Sequence, residues 1–179
     1  MKILAIITAM LCQCVLAGTP TESLNTFRKA AKEQKFEDLW KLSAQFGGSP
    51  EDLTAYFRDK VRRSMKLAAE GWDFELIDEK IIDDCAVIII NESTKQGQKA
   101  FDIDPAYLIK QNGDWKVFPG LTNWNMAEMM SKGILPQATL LNKDQTEAYN
   151  KLQQWYEERK AVLRKEHQEL LRKQPAEKR

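Results

Sequence analysis

Six consecutive apolar residues, Cys85 to Ile90, constrain this chain more than any other segment. Successive side chains of a strand point to opposite faces, so an unbroken apolar run must be covered on both. Cys85–Ile90 therefore belongs in the interior of a sheet, and the flanking sequence supplies its neighbours. Upstream, Trp72, Phe74 and Leu76 alternate with Asp73, Glu75 and Ile77, and Asp83-Asp84 makes the turn. Downstream, the polar stretch 91–98 reads as a hairpin connection to Phe101 and Ile103, which alternate with Asp102 and Asp104. Pro105 has no amide hydrogen to donate, so it is expected to break this ladder before Tyr107–Lys110 resumes it. Asn112-Gly113 is the strongest hairpin signal in the chain, since a tight primed turn needs positive φ at both positions. Trp115–Phe118 is the partner strand, closed by Pro119-Gly120.

The residues before this meander repeat with the period of a helix. Thr19-Pro20-Thr21-Glu22 reads as an N-cap with its capping box and a proline in the first turn, ahead of Leu24, Phe27 and Ala31 on one face. Phe36, Leu39 and Trp40 suggest a short second helix, ended by Gly47-Gly48. Ser49-Pro50 opens a third, with Leu53, Phe57, Val61, Met65 and Ala68 as its stripe and Gly71 as its stop. After an irregular stretch over 121–141, with a short helix around 126–132, Asn142 and Gln145 cap a long charged helix. Ala148, Tyr149, Leu152, Trp155 and Tyr156 form its apolar side. Past Glu157 the stripe thins to Val162, Leu163, Leu170 and Leu171, and that part is expected to project. The order gives an α+β fold: N-terminal helices packed on a curved antiparallel sheet, followed by a long C-terminal helix.

The N-terminus points to export. Lys2 precedes a nearly unbroken apolar run from Ile3 to Leu11, and Val15-Leu16-Ala17 suits signal peptidase, which places the cut between Ala17 and Gly18. The run is shorter than the roughly 20 residues that span a bilayer, and no second one follows. The expected organisation is a signal peptide over 1–17, an α+β domain over 18–141 and a charged amphipathic helix over 142–179. The expected location is periplasmic or extracellular. Two of the three cysteines lie in the signal, so Cys85 remains alone in the mature chain, where it reads as a buried, unreactive thiol.

The segment from Thr19 to Ala44, then IIDDCAVIIINES, then a strand ending AYLIKQNGDWKVFP resemble the nuclear transport factor 2-like superfamily, in particular its small exported bacterial domains, over about residues 19–120. The resemblance implies a cone-like sheet wrapped round its helices and enclosing a pocket. The superfamily holds isomerases, hydrolases and cyclases as well as proteins without activity, so the fold does not name a reaction. No catalytic set of that family aligns with residues of this chain.

The chemistry available to the chain is narrow. Its one histidine, His167, lies in the C-terminal helix, so the α+β domain carries no imidazole base, and with a single mature cysteine no zinc site is expected. No cofactor is implied. With 27 Lys/Arg against 26 Asp/Glu, the charge is too balanced for a dedicated nucleic-acid binder. Tyr56, Trp72, Phe74, Tyr107 and Trp115 are the candidate lining of a pocket for a small apolar ligand, although apolar alternation needs nothing more than ordinary core and rim packing. Asp102 and Asp104 share one strand face and are the candidate acid/base pair if the pocket is catalytic. Facing water is the plain alternative. The C-terminal helix is expected to dock on its own domain, or to contact a protein partner or a second copy. The reading is an exported, non-enzymatic binding domain for a small apolar ligand or a protein partner. The alternative is a hydrolase or isomerase that uses carboxylates in the cone.

Overall fold

The structure, a computed structural model, describes residues 18–45, 51–93, 103–118 and 141–173. Three helices, α1 (Pro20–Lys32), α2 (Phe36–Leu42) and α3 (Glu51–Ala69), precede a four-stranded antiparallel sheet. Its strands are β1 (Asp73–Ile82), β2 (Cys85–Ser93), β3 (Ile103–Gln111) and β4 (Asp114–Val117), in the spatial order β1-β2-β3-β4. A 31-residue helix, α4 (Lys143–Lys173), follows. The fold is α+β.

The helix ends form as their residues dictate. Thr19 and Glu22 make a reciprocal capping box: the Glu22 amide donates to Thr19 Oγ1 at 3.1 Å, and the Thr19 amide donates to the Glu22 carboxylate at 2.7 Å. Asn142 and Gln145 do the same for α4, at 2.9 and 3.0 Å. Gly71, at φ 88°, ends α3 with the paired bonds of a Schellman motif, Gly71 N–H to Ala68 O and Trp72 N–H to Leu67 O. The end of α1 uses the same bonds with no glycine. Gln34 takes φ 58°, and its side-chain amide donates to Ala31 O and to Met65 O of α3, both at 2.8 Å, which ties the two helices together.

The sheet has two buried faces. On one, Ala86, Ile88 and Ile90 of β2 meet Ala106 and Leu108 of β3, Trp115 and Val117 of β4, and Leu24, Phe27, Ala31, Leu39 and Val61 of the first three helices. On the other, Cys85, Val87, Ile89, Ile103, Tyr107 and Ile109 meet Ala148, Tyr149, Leu152, Tyr156 and Leu163 of α4. The two-sided apolar run of β2 is thus satisfied by helices on both sides, and the long helix is the cover of the second face. Its docking continues past Glu157. Leu163 is 7% exposed and Arg159 Nε meets Asp78 Oδ2 at 2.7 Å, so the projecting part begins after Leu163, with Leu170 at 61%. The seven-residue step Tyr149, Tyr156, Leu163 keeps returning the helix to the sheet.

Four further details differ from simple alternation. A bulge between Leu76 and Asp78 in β1 places Ile77 and Asp78 on the α4 face and Glu79 on the α1 face, where Thr21 donates to it at 2.6 Å. Pro105 does not interrupt β3. It pairs with Ile89, and β3 there has already run beyond its last pair with β4, Leu108↔Val117, an edge position where a missing donor is tolerated. The helix α2 ends at Ser43, not at the glycines. Ser43 bridges Val117, and Ala44 N–H donates to Val117 O at 2.7 Å, so this segment lies along the edge of β4. Finally, Arg58 and Arg62 of α3 lie 5.3 Å over the rings of Trp40 and Phe36 of α2, two pairs one turn apart in antiparallel order. The expected signal peptide over 1–17 with Ala17, Gly47-Gly48, Ser49-Pro50, Gly97, Phe101, Asp102, Pro119-Gly120 and the expected helix over 126–132 lie outside the described residues.

Candidate functional site

The candidate pocket residues are divided between the two buried faces. Phe74 and Trp115 belong to the α1–α3 side, with Trp72 half-buried against them and its ring 5.2 Å from that of Phe74. Arg28 of α1 lies 5.0 Å over the Phe74 ring and donates to Phe74 O at 2.7 Å. Lys110 stands 5.9 Å from the Trp115 ring. Tyr107 is on the opposite side of the sheet, packed 4.8 Å from the ring of Tyr149 in α4. Tyr56 is on α3, but its side chain is outside the described residues. Asp104 pairs with Ile90 and so faces the α1–α3 layer, half-buried, rather than standing in water. Gly18 is half-buried just before α1. The structure therefore brings Trp72, Phe74 and Trp115 into one core and separates Tyr107 from them. Alternation within each strand is correct, but it cannot tell which face of one strand continues which face of the next.

Beneath α4 the polar groups form a small network. Lys160 Nζ donates to Tyr156 OH at 2.7 Å, and that hydroxyl donates to Ile103 O at 2.9 Å. A phenol beside an ammonium is a pair that can stabilise a phenolate. Here the hydroxyl is buried and committed to a strand carbonyl, so its evident work is to fix α4 on β3. Burial, with Tyr149 and Tyr156 alongside, pushes the Tyr107 phenol far above its ordinary range. Cys85 lies at the start of β2 with its Sγ 3.7 Å from Gln145 O. Burial, then the Asp84 and Asp83 charges, push its thiol up to about 11. That is the reverse of what a nucleophilic cysteine needs. Toward the other end of β2 from Cys85, opposite Ile103 in the register, Asn91 Oδ1 is buried without a hydrogen-bond partner among the described residues. Such an acceptor has a use only for a donor that reaches it.

Two grooves flank α2. One, of about 650 Å³, is lined by Lys41, Ser43, Gln45, Gln111, Asn112 and Lys116. Gln45 and Gln111 close its rim with reciprocal bonds of 3.0 and 2.7 Å. The other, of about 390 Å³, runs between α1 and α2 past Thr26, Lys29, Ala30, Glu33, Lys35, Asp38, Lys41 and Leu42. Lysine and amide groups dominate the first, whereas the second presents mostly apolar surface between its charged groups. Among the described residues no group of three or more His, Cys, Asp or Glu side chains could hold a metal ion, and no helix is long and apolar enough to cross a membrane.

No family model, curated protein or solved structure matches this chain. The Arg159–Asp78 pair and the Arg58/Arg62 stacks carried no signal along the sequence, because each joins residues that only the packed elements bring together, whereas Tyr156–Lys160 is a pair four residues apart on one helix.

Proposed function

We propose that this chain is an exported, non-enzymatic binding domain, and that its ligand is a protein partner rather than a small apolar molecule. One observation carries this choice. The aromatic rings that an apolar pocket would require are distributed between two packed layers, Phe74 and Trp115 on one side of the sheet and Tyr107 on the other. Among the described residues these rings do not share one face of the sheet, and the groove of about 650 Å³ beside α2 is lined mainly by lysine, glutamine and asparagine side chains. Export follows from the apolar segment and the Ala17-Gly18 junction. The same proposal takes the chain as a relative of the nuclear transport factor 2-like domains, on the resemblance over residues 19–120. The alternative, a hydrolase or isomerase working through carboxylates, rests on Asp104, a half-buried acid facing the α1–α3 layer.

Native mass spectrometry of the protein isolated from its own compartment tests the reading. A complex with a second polypeptide is expected. A small mass increment that survives on the monomer would refute the choice of a protein ligand.

A further inference from the structure

Several basic side chains in this protein have a carboxylate beside them. Arg28 and Lys32 bracket Asp73, Lys35 meets Glu33, Lys151 meets Glu147, and Arg159 meets Asp78. On the solvent face of α3, Arg58, Arg62, Arg63 and Lys66 are all exposed, and none of them forms an ion pair with another described residue. Arg58, Arg62 and Lys66 recur every fourth residue, which lines them up on one side of the helix over roughly 12 Å at 1.5 Å per residue. Arg63 stands next to the row. Like charges at this spacing disfavour a helix by a few tenths of a kcal/mol per pair, and the chain as a whole is only +1. The row itself is basic, with Asp59 the nearest acidic residue to it along the helix.

The second observation is how two of these groups are held. The Arg58 and Arg62 guanidinium groups lie 5.3 Å from the Trp40 and Phe36 ring centres. Stacking against a ring occupies a face of the guanidinium and leaves its edge N–H donors available in a fixed fork, the arrangement that takes a carboxylate in two parallel bonds. Joining α2 to α3 explains the stacking by itself. It does not explain Arg63 and Lys66 beside it.

We propose that this face of α3 is the docking site for an acidic protein segment, with one carboxylate on Arg58, one on Arg62, and Arg63 and Lys66 beside them. The proposal rests on the protein-partner reading and gives that partner its chemistry. A protein segment fits better than an anionic bilayer. Membrane attraction follows the number of charges, at about 1 kcal/mol each, and makes no distinction between lysine and a stacked arginine. Two forks one turn apart instead match carboxylates about 6 Å apart on a helix, or on alternate residues of an extended chain.

The test is fluorescence anisotropy with the full mature protein and a labelled dodecapeptide of alternating Glu and Ser. Binding should weaken at least tenfold in R58Q/R62Q and several-fold in the charge-preserving R58K/R62K. It should change less than twofold in K165Q/R172Q, which removes the same charge from α4. R63Q/K66Q, which disturbs neither stack, should weaken binding three-fold or more and keeps the test valid if the arginine variants melt early. No binding to the wild type, or equal loss in the α4 variant, overturns the proposal. So does retention on phosphatidylglycerol vesicles that R58K/R62K leaves unchanged. A native complex that persists in R58Q/R62Q overturns the α3 site alone, whereas a wild type that carries no polypeptide overturns the protein-partner reading.

Discussion

Leu163 and Leu170 lie on one helix, seven residues apart, and have opposite surroundings: 7% exposed within the α4 cluster, and 61% exposed beyond it. Replacing each by alanine measures where docking stops. Truncating a buried leucine removes its transfer free energy and leaves a cavity, together 2–5 kcal/mol in well-packed cores. Leu163 is the last buried residue of the stripe, where the site can collapse, so about 2 kcal/mol is expected. Alanine's better helix propensity returns about 0.2 kcal/mol at both positions. Leu170→Ala should therefore be within about 0.5 kcal/mol of wild type, as exposed substitutions generally are. At roughly 2–4 °C per kcal/mol for a chain of this size, the Tm should fall by about 4–8 °C for Leu163→Ala and by under 2 °C for Leu170→Ala. Circular dichroism melts, with urea titrations followed by tryptophan emission, resolve this difference. Equal Tm values for the two variants would refute the docking of α4 beyond Glu157, and with it the view that the seven-residue repeat is a sheet-facing stripe.

Other consequences can be checked as directly. Tyr156→Phe removes the donor to Ile103 O and the acceptor of Lys160, and should cost about 1–2 kcal/mol in urea titration, with no change at Lys160→Gln larger than that. Because the Cys85 thiol is raised from 9.0 to about 11 in the folded protein, its contribution to stability is complete below about pH 9 and is lost as pH rises through 11. Cys85→Ala should therefore flatten that part of the alkaline limb, and thiol labelling at pH 8 should be slow until urea is added. Burial opposes ionisation of Asp73, but Lys32, the Phe74 amide and the Arg28 charge together hold its carboxyl below 3.8. Its contribution is then present above that value and disappears as pH falls below it. Asp73→Asn should cost about 1 kcal/mol at pH 7 and nothing near pH 2. Amino-terminal sequencing of the exported protein should begin at Gly18, within two residues, and retention of Met1 would overturn the cleavage site.

Much of the architecture was legible because local chemistry has few solutions. A threonine followed three residues later by glutamate makes a capping box, Asn112 at φ 53° with Gly113 at φ 87° makes a tight hairpin turn, and Gly71 ends a helix in the left-handed region. Gln34 shows the limit. It fills the same left-handed position at the end of α1 without being glycine, because Met65 O of α3 accepts from its amide. The candidate site was less legible for the same reason. Phe74, Tyr107 and Trp115 are strand residues turned toward an apolar face, and Trp72 lies just before β1, yet Tyr107 faces α4 and the others face α1–α3.

The sequence by itself determined the order of the described elements, the caps of α1 and α4, the Asn112-Gly113 turn and the interior place of Cys85–Ile90, since each depends mainly on contacts within a few residues. Only the tertiary structure decided that α4 covers the second face of the sheet, that Arg159 finds Asp78 and that Arg58 and Arg62 stack on α2. Apolar burial is non-directional: a stripe states that it must be covered, and not by what. The covering partner is fixed by how the whole set of helices and strands packs, which no local spacing records.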